Sequence, residues 1–183
     1  TLSVGMRAPA ESELVLDLSE YLASRMDESR RYADPDLAVP ADPFEIDAAA
    51  LARVRASLGP LGGLDASSLL DWFGRFITTY RSAGAIQPPA RAPRTGDLEA
   101  RLAKGACLLR HPYARMAWAR QGRRARLFAN GQAFETGVTA ARRLAGTDAV
   151  DHAQCSALGA DGRQLLTQLW VQGYYQLQPA PRR

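Results

Sequence analysis

The chain has 183 residues, of which 46% are hydrophobic and 23% are charged, and its formal net charge is +4. This is the composition of a folded globular protein, long enough for one ordinary domain or two small ones. No apolar run reaches the roughly 20 residues that a membrane-spanning helix needs, and no segment is typical of a signal peptide. We therefore expect no membrane partner.

The charge is divided unevenly along the chain. Residues 1–80 carry 7 basic and 13 acidic groups, a balance of −6, whereas residues 81–183 carry 16 basic and 6 acidic groups, a balance of +10. This asymmetry predicts two units, the second of which is suited to an anionic partner. The chain also begins at Thr1 without a methionine, which suggests a segment of a longer protein.

A short strand and three helices are predicted in the first half of the chain. Thr1–Met6 has the pattern of a strand, and Pro9 suits the first turn of a helix. Asp47 and Asp65 are candidate N-caps for the second and third helices. Apolar side chains at helical spacing mark one face of the first helix (Leu14, Leu18, Tyr21, Leu22) and one face of the third (Leu69, Trp72, Phe73, Phe76, Ile77, Tyr80).

The aromatic face of the third helix is larger than three short helices can cover. Burial of each large apolar side chain contributes roughly 1.5–3 kcal/mol, so leaving such a face in water is unfavourable. We expect a partner subunit or another domain to cover it. The predicted interface residues are Leu14, Leu18, Leu22, Leu69, Trp72, Phe73 and Phe76.

Residues 82–96 are rich in proline and glycine and hold almost no large apolar side chain, which predicts a linker. A small α+β domain of the winged-helix type is predicted after it, over residues 97–178. Asn130-Gly131 indicates a tight turn between two of its strands. The predicted helices are Asp97–Lys104, Val138–Leu144, Asp148–Leu158 and one capped by Asp161, and the predicted strands are Ala106–Arg110, Ala114–Arg120, Arg124–Phe128, Gln132–Phe134 and Tyr174–Leu177.

The residues that iron or zinc chemistry requires are absent from the sequence. His111 and His152 are the two histidines, and neither belongs to an HxD, HxE or HExxH motif. Cys107 and Cys155 belong to no CxxC or Cys/His cluster, so we expect reduced thiols in a cytoplasmic protein. The sequence therefore predicts no catalytic residue and no metal ligand within this chain.

Arginines are concentrated around one predicted pair of strands. Exposed arginine favours contact with phosphates, so these residues form a candidate patch for an anionic partner such as RNA. A solvated edge of an arginine-rich protein explains the same pattern. The five residues of this patch are Arg115, Arg120, Arg123, Arg124 and Arg126.

Five segments, taken together and in order, resemble the bacterial ribosomal oxygenase family of cupin-like (JmjC) enzymes. Those enzymes are 2-oxoglutarate- and Fe(II)-dependent dioxygenases that hydroxylate an arginine of a ribosomal protein. The segments span nearly the whole chain, and they are Ser3–Pro9, Arg31–Asp36, Asp71–Ile77, Ala129–Gly131 and Gly173–Tyr175.

The resemblance implies an architecture and a role. Residues 1–8 correspond to the last strand of a jelly-roll catalytic domain, residues 9–81 to a helical dimerisation region, 82–96 to a linker and 97–178 to a winged-helix-like domain. The iron-binding HxD…H triad and the 2-oxoglutarate anchor would lie before Thr1, so this chain alone should be inactive. Thr1 and Ser3 could line the co-substrate pocket, and the partners implied are a second copy and a ribosomal protein.

The residues also leave a different function open. A non-catalytic, dimeric winged-helix module could bind RNA or a ribosomal surface through the arginine patch, and a third alternative is a scaffold for dimerisation alone. The absence of any catalytic motif is compatible with all three interpretations.

Overall fold

The computed structural model of the protein describes residues 8–27, 29, 48–59, 63–79, 86–89 and 96–179. The predicted strand at Thr1–Met6, with Thr1 and Ser3, lies outside the described residues, as does most of the predicted linker. In chain order the elements are α1 (Glu11–Ala23), α2 (Ala48–Ser57), α3 (Ala66–Thr78), α4 (Asp97–Ala103), β1 (Cys107–Arg110), β2 (Met116–Gln121), β3 (Arg124–Ala129), β4 (Gln132–Gly137), α5 (Val138–Gly146), β5 (Ala149–Val150), α6 (His152–Ser156), α7 (Gly159–Val171) and β6 (Tyr175–Gln178).

The chain divides into two compact units, Thr1–Trp72 and Phe73–Arg183. The division falls inside α3, so the first turns of this helix belong to unit 1 and its last turns to unit 2. None of the helices in the described ranges is both long and apolar enough to cross a membrane.

Polar contacts join α1 to the start of α3 in unit 1. The Glu13 carboxylate accepts a hydrogen bond from the Ala10 N–H at 2.8 Å and so satisfies one free donor at the beginning of α1. The Trp72 indole N–H donates to the Asp17 carboxylate at 2.9 Å, and the Tyr21 hydroxyl lies 3.4 Å from the Asp71 carboxylate. The pairing lets the tryptophan be buried with its polar atom satisfied.

Unit 2 contains two three-stranded antiparallel sheets. One has the order β5-β1-β6 and the other the order β2-β3-β4. Successive side chains of a strand point to opposite faces, and β3 turns Ala125, Leu127 and Ala129 toward the core. The helices supply the rest of the buried cluster, whose fully or nearly fully enclosed members include Leu102, Leu108, Leu144, Val150, Leu165, Leu166, Leu169 and Tyr175.

The last turns of α3 pack on the opposite face of the β2-β3-β4 sheet. Phe128 on β3 is 1% exposed, and a Cβ atom added at Gly74 would lie 2.4 Å from its ring. Only glycine therefore allows this close approach of helix to ring. The β3–β4 turn is held as well, because the Gly131 N–H donates to the Thr78 hydroxyl at 3.1 Å and Arg75 donates to the Gly131 carbonyl at 3.2 Å.

The predicted tight turn is present. Asn130 and Gly131 have φ angles of +48° and +82°, the left-handed values that a two-residue hairpin turn requires at both central positions. Asp65 also caps α3 as predicted, since its carboxylate accepts the Ser68 N–H at 2.6 Å. This hydrogen bond lowers the pKa of Asp65.

The prediction of one helix over Asp148–Leu158 was wrong at its start. Ala149 and Val150 form β5 and pair with Leu109 and Leu108 of β1. The helix begins only after Asp151, whose carboxylate accepts the Gln154 N–H while the Gln154 side chain accepts the Asp151 N–H. This reciprocal capping box defines the start of α6.

Part of the predicted linker also packs on unit 2. Ile86 is partly buried against its hydrophobic core. A Cβ atom added at Gly173 would lie 2.4 Å from the Gln87 carbonyl oxygen. The described residues 86–89 therefore follow the surface of unit 2 closely at this point.

Candidate functional site

The two histidines have ordinary structural surroundings. The His111 Nδ1 accepts a hydrogen bond from the Tyr113 N–H at 3.1 Å, and the two rings lie 5.3 Å apart. His152 is exposed at the first turn of α6. Among the described residues, no group of three or more His, Cys, Asp or Glu side chains is placed to hold a metal ion.

The cysteines are free and differ in burial. Cys155 is buried, and Cys107 is partly buried on β1. Burial raises the pKa of the Cys155 thiol, and the negative charge of Glu99 raises it further. The Cys155 thiol is therefore protonated at neutral pH, which makes it a poor nucleophile and a poor metal ligand.

The residues predicted for a subunit interface on α1 are partly covered. Leu14, Leu18 and Leu22 are half-buried, spaced on one helical face. Val15 and Leu16, by contrast, are 63% and 67% exposed. Neither residue is among the predicted interface residues, although their exposure as large apolar side chains marks them as candidates.

Helix α3 separates its predicted interface residues onto different faces. Trp72 is 6% exposed and Phe76 is half-buried, whereas Leu69 and Phe73 are 45% and 41% exposed. Ile77, which is 40% exposed, continues the row one turn later. Leu69, Phe73 and Ile77 are spaced four residues apart and lie on one side of the helix, and we call them the α3 stripe. The spacing i, i+4, i+8 was visible in the sequence, but the burial of Trp72 was not.

Arg124 and Arg126 of the predicted patch are in ion pairs. Arg124 lies 3.1 Å from the Asp161 carboxylate of α7, and Arg126 lies 3.5 Å from the Glu135 carboxylate on the neighbouring strand β4. Arg126 and Glu135 are directly opposite each other in the strand register. Each acid competes with another anion for its arginine, but the Arg124–Asp161 pair is more than half exposed on both sides and is therefore weak.

The remaining three arginines are exposed, and they do not form one face. Arg120 stands opposite Ala125, a core-facing residue, whereas Arg126 is on the opposite face of the sheet. Arg123 lies in the turn between β2 and β3, and Arg115 precedes β2. Arg120, Arg123 and Arg124 therefore lie at one end of the hairpin, with Arg120 and Arg124 on opposite faces of the sheet, and Arg115 lies at the other end.

Helices α6 and α7 form a helix–turn–helix pair joined by Ala157 and Leu158. In DNA-binding proteins of this kind the second helix enters the major groove. The exposed side chains of α7 include Asp161, Gln164 and Gln168. The exposed face of this helix carries an acidic side chain and no cluster of basic ones, so it does not favour binding in the major groove of DNA.

The chain is similar to known proteins along most of its length. Residues 64–176 match the family model of the ROXA-like winged helix. The ribosomal protein uL16 3-hydroxylase of Escherichia coli K12 is 29% identical over 108 residues, which cover 59% of this chain and 29% of that protein.

Solved structures of a ribosomal oxygenase are similar to this chain as well. An X-ray structure of E. coli YcfD matches with a TM-score of 0.70 and 25% identity, covering 94% of this chain and 46% of that one. A structure of the E. coli ribosomal oxygenase YcfD with cobalt and succinic acid matches with a TM-score of 0.67 and 25% identity, covering 94% and 47%. This chain thus spans less than half the length of those relatives.

These similarities confirm the predicted resemblance to the bacterial ribosomal oxygenases and the predicted mixed helix and sheet architecture with a winged-helix domain. The chain belongs to the ROXA-like winged-helix family.

Proposed function

We propose that this chain is the C-terminal dimerisation and winged-helix part of a 2-oxoglutarate- and Fe(II)-dependent hydroxylase that acts on a ribosomal protein. One observation carries the proposal: 94% of the chain superposes on 46% of an E. coli YcfD structure at a TM-score of 0.70. The uL16 3-hydroxylase relative supports a ribosomal protein as substrate. A cytoplasmic location is part of the proposal.

The described residues do not fit the iron centre of such an enzyme. Non-haem iron oxygenases use two histidines and a carboxylate with open coordination positions, and the described part of this chain has no cluster able to hold a metal. We therefore assign no step of the reaction to these residues. In the proposal, the iron and 2-oxoglutarate belong to a catalytic domain that precedes Thr1, and this chain alone does not turn over 2-oxoglutarate.

The role of the first residues is part of the same proposal. Residues 1–8 would form the last strand of the jelly roll, with Thr1 and Ser3 near the co-substrate. The limits 9–81 for the dimerisation region, 82–96 for the linker and 97–178 for the winged-helix domain remain predictions. The family model begins at residue 64 and therefore includes α3 together with the winged-helix domain.

We assign the homodimer contact to apolar side chains of α1 and α3. Leu69, Phe73 and Ile77 leave 40–45% of their surface exposed on a single helix face. Full burial of a large apolar side chain contributes roughly 1.5–3 kcal/mol. Covering the exposed part of these three side chains with a second copy would contribute a corresponding fraction of that free energy to dimer stability. Val15 and Leu16 on α1 are further exposed apolar side chains that a second copy would cover.

The alternative is a non-catalytic dimeric module that binds RNA or a ribosomal surface through the arginine patch. The exposure of Arg120 and Arg123 favours a contact of this kind. At Arg124 and Arg126, RNA would have to displace the carboxylate of Asp161 or Glu135.

The test is hydroxylation of ribosomal proteins by the protein isolated from its own cells. With Fe(II), O2 and 2-oxoglutarate, we expect succinate to form and one oxygen atom to be added to a ribosomal protein, as detected by mass spectrometry. The 183-residue chain is the matched control and should form no succinate. Succinate formation by the 183-residue chain alone contradicts the proposal. So does the absence of succinate formation by the native protein under conditions in which the E. coli uL16 3-hydroxylase is active.

A further inference from the structure

The connection between β2 and β3 is short and open. Gln121 ends β2 and Arg124 begins β3, so only Gly122 and Arg123 lie between them. Gly122 has a φ of +59°, and a Cβ atom added to it would meet nothing within 4 Å. The hairpin end therefore has open space beside it, where a large partner can approach.

The charge at this hairpin end is mostly unneutralised. Arg120 and Arg123 are exposed, and the described residues provide no ion pair or side-chain hydrogen bond for either. Arg124 shares the Asp161 carboxylate at 3.1 Å, with both side chains more than half exposed. A solvent-exposed pair of this kind contributes only about 0–1 kcal/mol, so a stronger anion can displace Asp161.

We propose that the β2–β3 hairpin end, formed by Arg120, Arg123 and Arg124, binds the phosphodiester backbone of RNA without reading its sequence. Guanidinium groups donate paired hydrogen bonds in a geometry that matches phosphate oxygens. Contacts to phosphates fix position and orientation but carry no sequence information directly. The exposed side chains of α7 include glutamines and an acid, which do not favour contact with phosphates. The hairpin rather than this helix is therefore the element that contacts RNA.

The kind of side chains present favours RNA over an acidic protein segment. Protein interfaces use apolar and aromatic side chains at their centre. The two residues between the strands are glycine and arginine, and Ala125 beyond them is buried. A phosphate backbone requires only exposed donors, which this hairpin supplies. The choice of RNA over DNA rests on the proposed function, in which the substrate is a ribosomal protein.

The strength of the contact follows from the number of arginines. Each phosphate neutralised on a single strand changes the slope of log affinity against log salt by about 0.7. Three arginines predict a slope of about −2, and non-specific binding of this type has a Kd of about 10⁻⁴–10⁻⁶ M at physiological salt. The hairpin therefore positions the protein weakly, as an auxiliary contact.

The experiment measures fluorescence anisotropy of a labelled, unstructured oligouridine with the full chain over a range of salt concentrations. The double variant Arg120→Gln/Arg123→Gln should make the slope shallower by about 1.4. Asp161→Asn should strengthen binding, because it frees Arg124 and removes a negative charge. The charge-matched control Arg101→Gln/Lys104→Gln removes two exposed cations at the C-terminal end of α4 and should leave the slope nearly unchanged.

Three results overturn the inference. The first is an unchanged slope in the hairpin double variant, and the second is an equal loss in the α4 control, which indicates attraction by net charge alone. The third is binding of polyglutamate as tight as binding of RNA, which indicates an acidic protein partner. Because anisotropy does not depend on succinate formation, failure of RNA binding and failure of the hydroxylase proposal are separate outcomes.

Discussion

The two units of the chain differ in how completely they bury their own apolar side chains. In unit 2, a continuous cluster runs from Leu98 to Tyr175, and many of its members are under 2% exposed. In unit 1, Trp72 is the one buried hydrophobic residue among those described, while Val15, Leu16, Val54, Leu58 and Leu69 are each more than 40% exposed. The winged-helix unit therefore has its own core, whereas the helices of unit 1 expose apolar surface suited to a partner.

The largest expected effect comes from the core of unit 2. Leu166→Ala on α7 removes a side chain that is 0% exposed and should lower the free energy of unfolding by about 2–5 kcal/mol. Leu16→Ala on α1 is the matched control, because the same atoms are removed from a site that is 67% exposed. It should change the free energy of unfolding by less than about 0.5 kcal/mol. Chemical denaturation of both variants, each at low concentration, checks the contrast, and equal losses would contradict it.

A second effect concerns the close approach of residue 87 to unit 2. Gly173→Ala forces a side chain into a left-handed conformation with φ of +84° and places its Cβ 2.4 Å from the Gln87 carbonyl oxygen. Gly159→Ala is the matched control, with φ of +72° and nothing within 4 Å. The control should lose about 1–2 kcal/mol of stability from backbone strain alone, and Gly173→Ala should lose more. Thermal unfolding compares them, and equal losses would show that Gln87 does not lie against Gly173.

The third prediction addresses the exposed surface directly. Leu69→Asp/Ile77→Asp places charge on the α3 stripe and should weaken the homodimer about tenfold or more, because a desolvated apolar contact is replaced by an unpaired charge. Leu109→Asp is the control, since Leu109 on β1 is similarly exposed, at 41%, and lies outside α1 and α3. Sedimentation velocity over a range of protein concentrations measures the dissociation constant. A wild-type chain that stays monomeric, or a control variant that dissociates equally, would remove the proposed interface.

The smallest effect is a dependence of stability on alkaline pH. Burial raises the pKa of Tyr175 from 10.0 to about 12, and the nearby Asp148 adds to the effect while Arg110 opposes it. Because the folded pKa is raised, this contribution to stability is fully present below pH 10 and is lost as the pH rises toward 12. Tyr175→Phe should make the decline shallower. It should also cost about 1 kcal/mol at neutral pH, where the hydroxyl donates to the Leu144 carbonyl at 3.1 Å.

The control for this titration is Tyr174→Phe. Burial also raises the pKa of Tyr174, but to a lesser extent than that of Tyr175. This variant should retain most of the alkaline decline in the free energy of unfolding. If both variants behave alike, Tyr175 is not the main source of the pH dependence.

Local signals in the sequence predicted much of the secondary structure. Asn130-Gly131 predicted the hairpin turn correctly, because these two residue types readily adopt the left-handed backbone that the turn requires. Asp65 predicted the start of α3 correctly, because its capping hydrogen bond with the Ser68 N–H joins residues only three positions apart. By contrast, β5 was missed, since Ala149 and Val150 become a strand only by pairing with Leu108 and Leu109, which are distant in sequence.

The arrangement of the candidate site was harder to predict for the same reason. The ion pair of Arg124 with Asp161 joins residues 37 positions apart, so the sequence could not show that this arginine is partly neutralised. The hydrogen bond from Trp72 to Asp17 spans 55 positions, so the sequence could not show that this tryptophan is buried with its indole N–H paired. Periodicity identifies an apolar face, but tertiary contacts determine which of its members remain exposed.

The central claim is that this chain is one part of a longer hydroxylase. The most direct measurement is the intact mass of the protein isolated from its own cells, with a peptide map that reads the residues before Thr1. The account predicts a protein about twice this length, as the 46% coverage of the E. coli structure implies, with an HxD motif and a later histidine before Thr1. A native protein that begins close to Thr1 would contradict the account.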